Sequence, residues 1–242
     1  MKKKFSLLHP ILTLFCLVVA SNCVFTISGF AASQDRRDYV GLSFAASRGE
    51  IDHITATGFT NSLNVRKHFD ISAGLGLIRG YRWKNIPIHT EIEISHRLRY
   101  DVDVRDLLPN RNGVITDPDV GYEMNLSVTS ILISAAYDLR TNQPLTPYFG
   151  GGFGWSRNTT DTERIAQANI DEPDRKYFST NNLIWSVMVG AIWDWDEKWA
   201  VDIGYRYKDL GEIETGTLLA LESVKATKFV SHDLSLAVVR RF

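Results

Sequence analysis

The stretch Leu183 to Asp209, LIWSVMVGAIWDWDEKWAVDIGYRYKD, alternates in polarity so regularly that few folds can hold it. In its first arm Leu183, Trp185, Val187, Val189, Ala191, Trp193 and Trp195 share one parity, against Ser186, Met188, Gly190, Ile192 and Asp194. The second arm sets Trp199, Val201, Ile203, Tyr205 and Tyr207 against Ala200, Asp202, Gly204, Arg206 and Lys208. A period of two is strand geometry. One face suits lipid, and the other suits water or buried ion pairs. Asp196 to Lys198 form a tight polar turn between the arms, and Trp193, Trp195 and Trp199 gather beside it as indoles do at a bilayer interface.

The N-terminus has the form of a secretory signal. Lys2 to Lys4 precede an apolar run from Ile11 to Ala20, and Gly29 and Ala31 stand at the positions a signal peptidase reads. The run is shorter than the roughly 20 apolar residues a spanning helix needs. Cys23 follows Ala20, Ser21 and Asn22, a poor lipidation box. We therefore expect residues 1–31 to be removed and 32–242 to form one domain. Both cysteines, Cys16 and Cys23, lie in the removed part, which excludes a disulfide scaffold or a cysteine metal site in the remainder. Loss of Lys2 to Lys4, with no accompanying acid, takes the formal charge from −1 to about −4, so nothing favours a nucleic-acid partner. No later apolar stretch reaches helix-spanning length. A membrane protein of this sequence must then be a closed barrel, the other structure that satisfies every backbone group in lipid.

The whole chain divides accordingly into eight predicted strands: Tyr39–Ser47, Ile71–Trp83, Ile88–Tyr100, Met124–Asp138, Tyr148–Ser156, the two arms of the hairpin, and Phe229–Phe242. Four long polar connections, Arg48–His68, Asp101–Gly121, Arg157–Thr180 and Gly211–Thr227, alternate with three short ones, the asymmetry of membrane barrels. The third long loop is expected to hold a short helix around Thr162 to Ala168. A ten-stranded version remains open if Thr55 to Arg66 forms part of an extra hairpin. Tyrosines and tryptophans sort into two girdles, with Tyr39, Tyr81, Trp83, Tyr137, Tyr148, Trp193, Trp195 and Trp199 near the short turns. Tyr100, Tyr122, Trp155, Tyr177, Trp185, Tyr205 and Tyr207 fall near the long loops.

The chain ends HDLSLAVVRRF, with Leu234, Leu236, Val238 and Phe242 on one parity. This resembles the C-terminal signature of bacterial outer-membrane barrels, whose terminal aromatic is read by the barrel assembly machinery. Arg240 departs from the pattern, and Arg79 also points outward; both can snorkel near an interface. With YVGLSFA at the start, PYFGGGFGW in the middle and WAVDIGYRYKDLG near the end, the chain is similar to the small eight-stranded outer-membrane barrels. These are the opacity-like barrels, the barrel of outer-membrane protein A, and the α-proteobacterial surface antigens and hemin-binding barrels. The resemblance implies an all-β, eight-stranded antiparallel up-and-down transmembrane barrel in the outer membrane of a Gram-negative cell. It implies contacts with outer-membrane lipids and lipopolysaccharide, and a role in envelope integrity or in host or matrix contact through four external loops.

Strand parity places Arg82, Glu91, Glu93, Arg97, Arg99, Asp138, Asp194, Asp202, Arg206, Lys208, Asp233 and Arg241 inside. In a barrel this narrow, side chains fill the interior, and mixed charges would form a plug. A narrow porin for small solutes is the alternative. His89 and Glu91 share the inward face, a pairing that can orient a general base. No matched serine or metal ligand accompanies them, so no catalytic, cofactor or metal site is expected. His96 and His232 fall on the outward parity. His53 and His68, with Tyr100 and Tyr122, are the residues that haem ligation would use. A lipid A-modifying enzyme would need a serine, histidine and acid meeting at the outer rim. Asn158, in Asn-Thr-Thr, is a formal glycosylation acceptor and reads as an exposed loop residue.

Overall fold

Alternating polarity becomes pairing in the computed structural model, which describes residues 37–57, 63–67, 69–106, 120–139, 143–166, 175–217 and 223–242. The strands are β1 (Asp38–Thr57), β2 (Leu63–Lys67), β3 (Phe69–Arg82), β4 (Ile88–Asp106), β5 (Val120–Asp138), β6 (Leu145–Ala166), β7 (Arg175–Asp194), β8 (Trp199–Glu214) and β9 (Ser223–Arg241). β1 pairs antiparallel with β3, β3 with β4, and each later strand with the next, and β1 closes on β9 from Tyr39 opposite Arg241 to Thr57 opposite Ser223. β2 pairs with β4 beyond the end of β3, so the two share one edge of β4 and make one stave. The barrel has eight staves. The described parts of Thr55 to Arg66 prolong β1 and the β2–β3 stave instead of adding a hairpin. The expected signal, both cysteines and His68 lie outside the described residues.

The staves are much longer than the sequence pattern suggested. Apart from β2, strands of 14 to 22 residues replace the 9–11 that a bilayer needs. At about 3.3 Å per residue and a tilt near 40°, a 20-residue stave rises about 50 Å. The four long connections contract in consequence. Arg48–Thr57 belongs to β1, Asp101–Asp106 to β4, Arg157–Ala166 to β6 and Gly211–Glu214 to β8. The helix expected around Thr162 is corrected: Thr162 to Ala166 is strand, paired with β5.

The physical reason is an inversion of polarity along β4, β5, β8 and β9, while the inner face of β6 stays polar with Asn158, Thr160 and Thr162. In the lower half, Leu42, Phe44, Ile92, Ile133, Val187, Ile203 and Leu236 are exposed on the outer face, where lipid would lie. In the upper half the outer face carries Asp101, Glu123, Glu163 and Lys228. There the inner face carries Val102, Met124, Leu126, Ile213, Val224 and Phe229, all buried. The upper half is thus a water-soluble barrel with an apolar core, continuous with a membrane barrel below it.

Two bulges adjust the parity at the boundary. Leu98 and Arg99 together face the single residue Ser127, between the pairs Arg97–Val128 and Tyr100–Leu126. Arg99 is therefore outside and exposed, a correction to its predicted place in the interior, while Tyr100 turns inward. A second irregularity lies at Asp209 to Gly211, where Gly211 has φ of 78°. At the lower end the turns are short; in one, Asp196 Oδ1 accepts the backbone N–H of Lys198 at 2.6 Å and of Trp199 at 2.7 Å.

Candidate functional site

Three layers fill the lumen. Nearest the short turns, the His89 ring nitrogen Nδ1 lies 2.6 Å from Asp138 Oδ1. Arg82 reaches Asp138 at 3.7 Å and Asp194 at 4.0 Å, and Arg241 closes on Asp194. Above them, Tyr39 donates to Glu91 at 2.7 Å and Tyr148 to Asp202 at 2.9 Å. Then comes a continuous ionic chain. Glu93 is paired with Arg206 and lies 3.7 Å from Lys208. Lys208 is 3.4 Å from Asp233, which is bonded to Arg97 and to Ser47. Arg206 also approaches Glu91 at 3.9 Å. Buried charges persist only when paired in this way.

The third layer is apolar. Ile51, Tyr100, Val102, Met124, Leu126, Val128, Leu132, Ile184, Leu210, Ile213, Ala226 and Phe229 pack into one cluster over the ionic chain. Tyr100 joins the two layers: its ring meets Phe229 edge-on at 5.6 Å and its hydroxyl lies 2.5 Å from Ser47 Oγ. The void among the central charges measures about 20 Å³, about one water molecule.

Of the residues predicted inside, all but Arg99 face the lumen. Asp194 and Arg82 are its more open members, at the mouth. Tyr39, Tyr100 and Tyr148 leave the girdles assigned to them and point inward, buried. Tyr148 fits because it lies over Gly190 and Gly204; a Cβ at Gly190 would stand 2.5 Å from its hydroxyl. His89 and Glu91 do not act on each other: His89 is held by Asp138 and by the Tyr148 ring at 5.2 Å, and Glu91 by Tyr39. His96 and His232 do face outward, His96 beside Thr129 and His232 beside Tyr205. His53 is exposed at a φ of 52° while Tyr100 is buried in the lumen, so these two do not converge on one ligand; Tyr122's side chain lies outside the described residues.

Asn158 is another correction. It is 1% exposed, in β6, and its amide donates to the carbonyls of Leu210 at 2.8 Å and Glu212 at 2.9 Å across the β8 bulge. The sequence signal for it was parity alone, since Ser156, Asn158, Thr160 and Thr162 continue the inward face of β6. Further out, Lys225 sits 2.6 Å from Glu212, whose hydrogen bond holds the ammonium above its ordinary pKa. Asp161 does the same for the Arg175 guanidinium.

An even-staved closed barrel, with an apolar outer band flanked by Trp83, Trp193, Trp195 and Trp199 at one edge and Trp155, Trp185 and Tyr205 at the other, is an integral outer-membrane barrel. Its position is the Gram-negative outer membrane. The chain belongs to the family described as the outer membrane protein beta-barrel domain, whose model matches residues 17–242. It is similar to opacity protein V28 of Neisseria gonorrhoeae, 25% identical over 166 residues that cover 60% of this chain and 66% of that protein. With opacity protein opA58 of the same organism it shares 26% over 168 residues, 60% of each chain. The chain thus spans just under two thirds of the length of these relatives. Among solved structures, Neisserial surface protein A is 16% identical with a TM-score of 0.48, covering 85% of this chain and 97% of that one.

Proposed function

We propose that the protein is a non-conducting, non-catalytic surface barrel that makes its contacts through the outer rim. The observation that carries this reading is the stacking of an apolar core, with Leu126, Leu210 and Phe229 fully buried, over the Arg97–Asp233–Lys208–Glu93–Arg206 chain. A solute in transit would have to unpair buried charges and then cross a dry layer. Steady single-channel current from the refolded wild-type protein in a planar bilayer would restore the porin alternative; silence is expected.

On this reading residues 1–31 are a cleaved signal and the mature chain is 32–242. The exposed Phe242, whose backbone N–H bonds to Asp38 O at 2.9 Å, is the end that the assembly machinery reads. Envelope integrity and host or matrix contact fall to the outer rim and the four connections expected from the sequence. Adhesion of intact cells that persists after all four are shortened would remove the contact role. An altered lipid A mass spectrum on overexpression would contradict the non-catalytic reading.

A further inference from the structure

The outer face of β4 to β7 passes from apolar to polar toward its outer end. Ile94, Ile131, Trp155 and Leu183 are paired across the four strands, and all are exposed and apolar. One rung outward, His96, Thr129, Arg157 and Asn181 are paired in the same way. The bulge at Leu98 and Arg99 leaves both side chains out just above them, opposite Ser127, so that one further apolar group stands beside the Arg99 guanidinium. Acids begin only beyond this level, with Asp101 paired through Asn125 to Asp161. Cationic groups therefore stand where the lipid-facing surface ends, and acidic groups stand farther out.

The cations of this protein divide into those matched to carboxylates and those left open at its surface. The lumen arginines Arg97 and Arg206 are matched to carboxylates, and on the outer surface Arg48 is matched to Glu50, Arg175 to Asp161 and Lys225 to Glu212. Arg99 and Arg157 are exposed and have no acidic partner among the described residues; Arg79 and Arg240 share that state, Arg240 lying over Trp199 and Phe242, but they stand at the short-turn end. Thr129 bonds to His96 at 2.9 Å between them.

We propose that Arg99, Arg157 and His96, with Thr129, dock the phosphorylated headgroup of an outer-leaflet lipid whose acyl chains lie on Ile94, Ile131, Trp155 and Leu183. Two guanidiniums at a headgroup level fit a phosphate, which they bind with charge-assisted hydrogen bonds. The adjoining apolar rung commits the site to a lipid instead of a free anion, because such an anion gains nothing from it. This rests on the outer-membrane reading above and names one lipid-binding place within it.

The test uses the full mature protein, its other five tryptophans changed to phenylalanine, in nanodiscs of neutral phospholipid and follows Trp155 fluorescence, on the strand position two before Arg157. Lipid A carrying its phosphates is titrated against the same lipid dephosphorylated. Wild-type protein is expected to favour the phosphorylated form about tenfold, the scale of one or two charged hydrogen bonds. The double variant Arg99→Gln/Arg157→Gln is expected to lose that preference and keep wild-type binding of the dephosphorylated lipid. Arg79→Gln, at the opposite edge of the barrel, should leave the preference intact. Equal binding of the two lipids, or a preference that survives the double variant, overturns the site. Displacement by millimolar inorganic phosphate overturns its assignment to lipid. Both glutamine substitutions are on the exposed surface, and the native gel mobility of the unheated barrel reports whether the variants fold. A wild-type barrel that is silent in bilayers yet shows no phosphate preference refutes the site alone.

Discussion

Arg97 and Asp233 lie 136 residues apart in sequence and meet side chain to side chain inside the barrel, each side chain 2% exposed. The pair joins β4 to β9 across the lumen, with Lys208 of β8 as a third member. Removing one partner leaves the others buried and unmatched. Asp233→Asn is expected to destabilise the folded barrel by about 3–5 kcal/mol, read as an earlier midpoint in urea unfolding from lipid vesicles. Replacing Arg97 and Asp233 together by Met and Leu should cost far less than either single change.

The two-layer stopper predicts what the conductance of variants will be. Alanine at Glu91, Glu93, Arg97 and Arg206 together leaves only the Lys208–Asp233 pair of the ionic layer, with Leu126, Leu210 and Phe229 still above it. That variant is expected to stay silent in a planar bilayer. Current should appear when Leu126→Ser and Phe229→Ser are added. Steady conduction by the first variant alone would show that the apolar layer does not seal.

Asn158 holds the bulged part of β8 by two carbonyls, so its loss should be felt there. Asn158→Ala is expected to cost about 1–3 kcal/mol and to speed amide exchange from Leu210 to Glu212. Exchange unchanged in that stretch would show that the backbone ladder alone maintains the bulge.

Tyr148 depends on the absence of side chains at Gly190 and Gly204. Gly190→Val is expected to destabilise the barrel by about 1–3 kcal/mol through overpacking. Part of that loss should disappear in combination with Tyr148→Ala, measured as a double-mutant cycle of unfolding free energies; the rest should stay, because the new Cβ also stands 2.7 Å from the Ile203 carbonyl oxygen.

The membrane half was legible because its two faces differ in polarity at every step, as in Trp199, Val201 and Ile203 against Ala200 and Asp202. The upper half kept the same period, but with water outside, its exposed residues looked like loop. Asp101, Glu123 and Glu163 carried that impression, while Val102, Met124 and Leu126 formed the unrecognised core. Bulges were the second obstacle: one residue inserted at Leu98–Arg99 reverses which side chains are inside, and nothing in Leu-Arg-Tyr marks it. Interior charges were readable as a set, but their partners were not, since Arg97 and Asp233 are brought together only by closure of the barrel. Asn158 was misjudged because a glycosylation triplet and an inward strand position use the same residues.

The upper half of the staves sets the distance between the rim and the lipid. With an apolar band about 25 Å tall on a barrel about 50 Å high, the outer ends of the described staves stand about 20 Å above the headgroups. Charge interactions in physiological salt fade over about 8 Å. The rim is therefore electrically insulated from the anionic surface beneath it, so a change of sign at a loop tip can alter what the loop attracts while the barrel's seat in the membrane stays as it was.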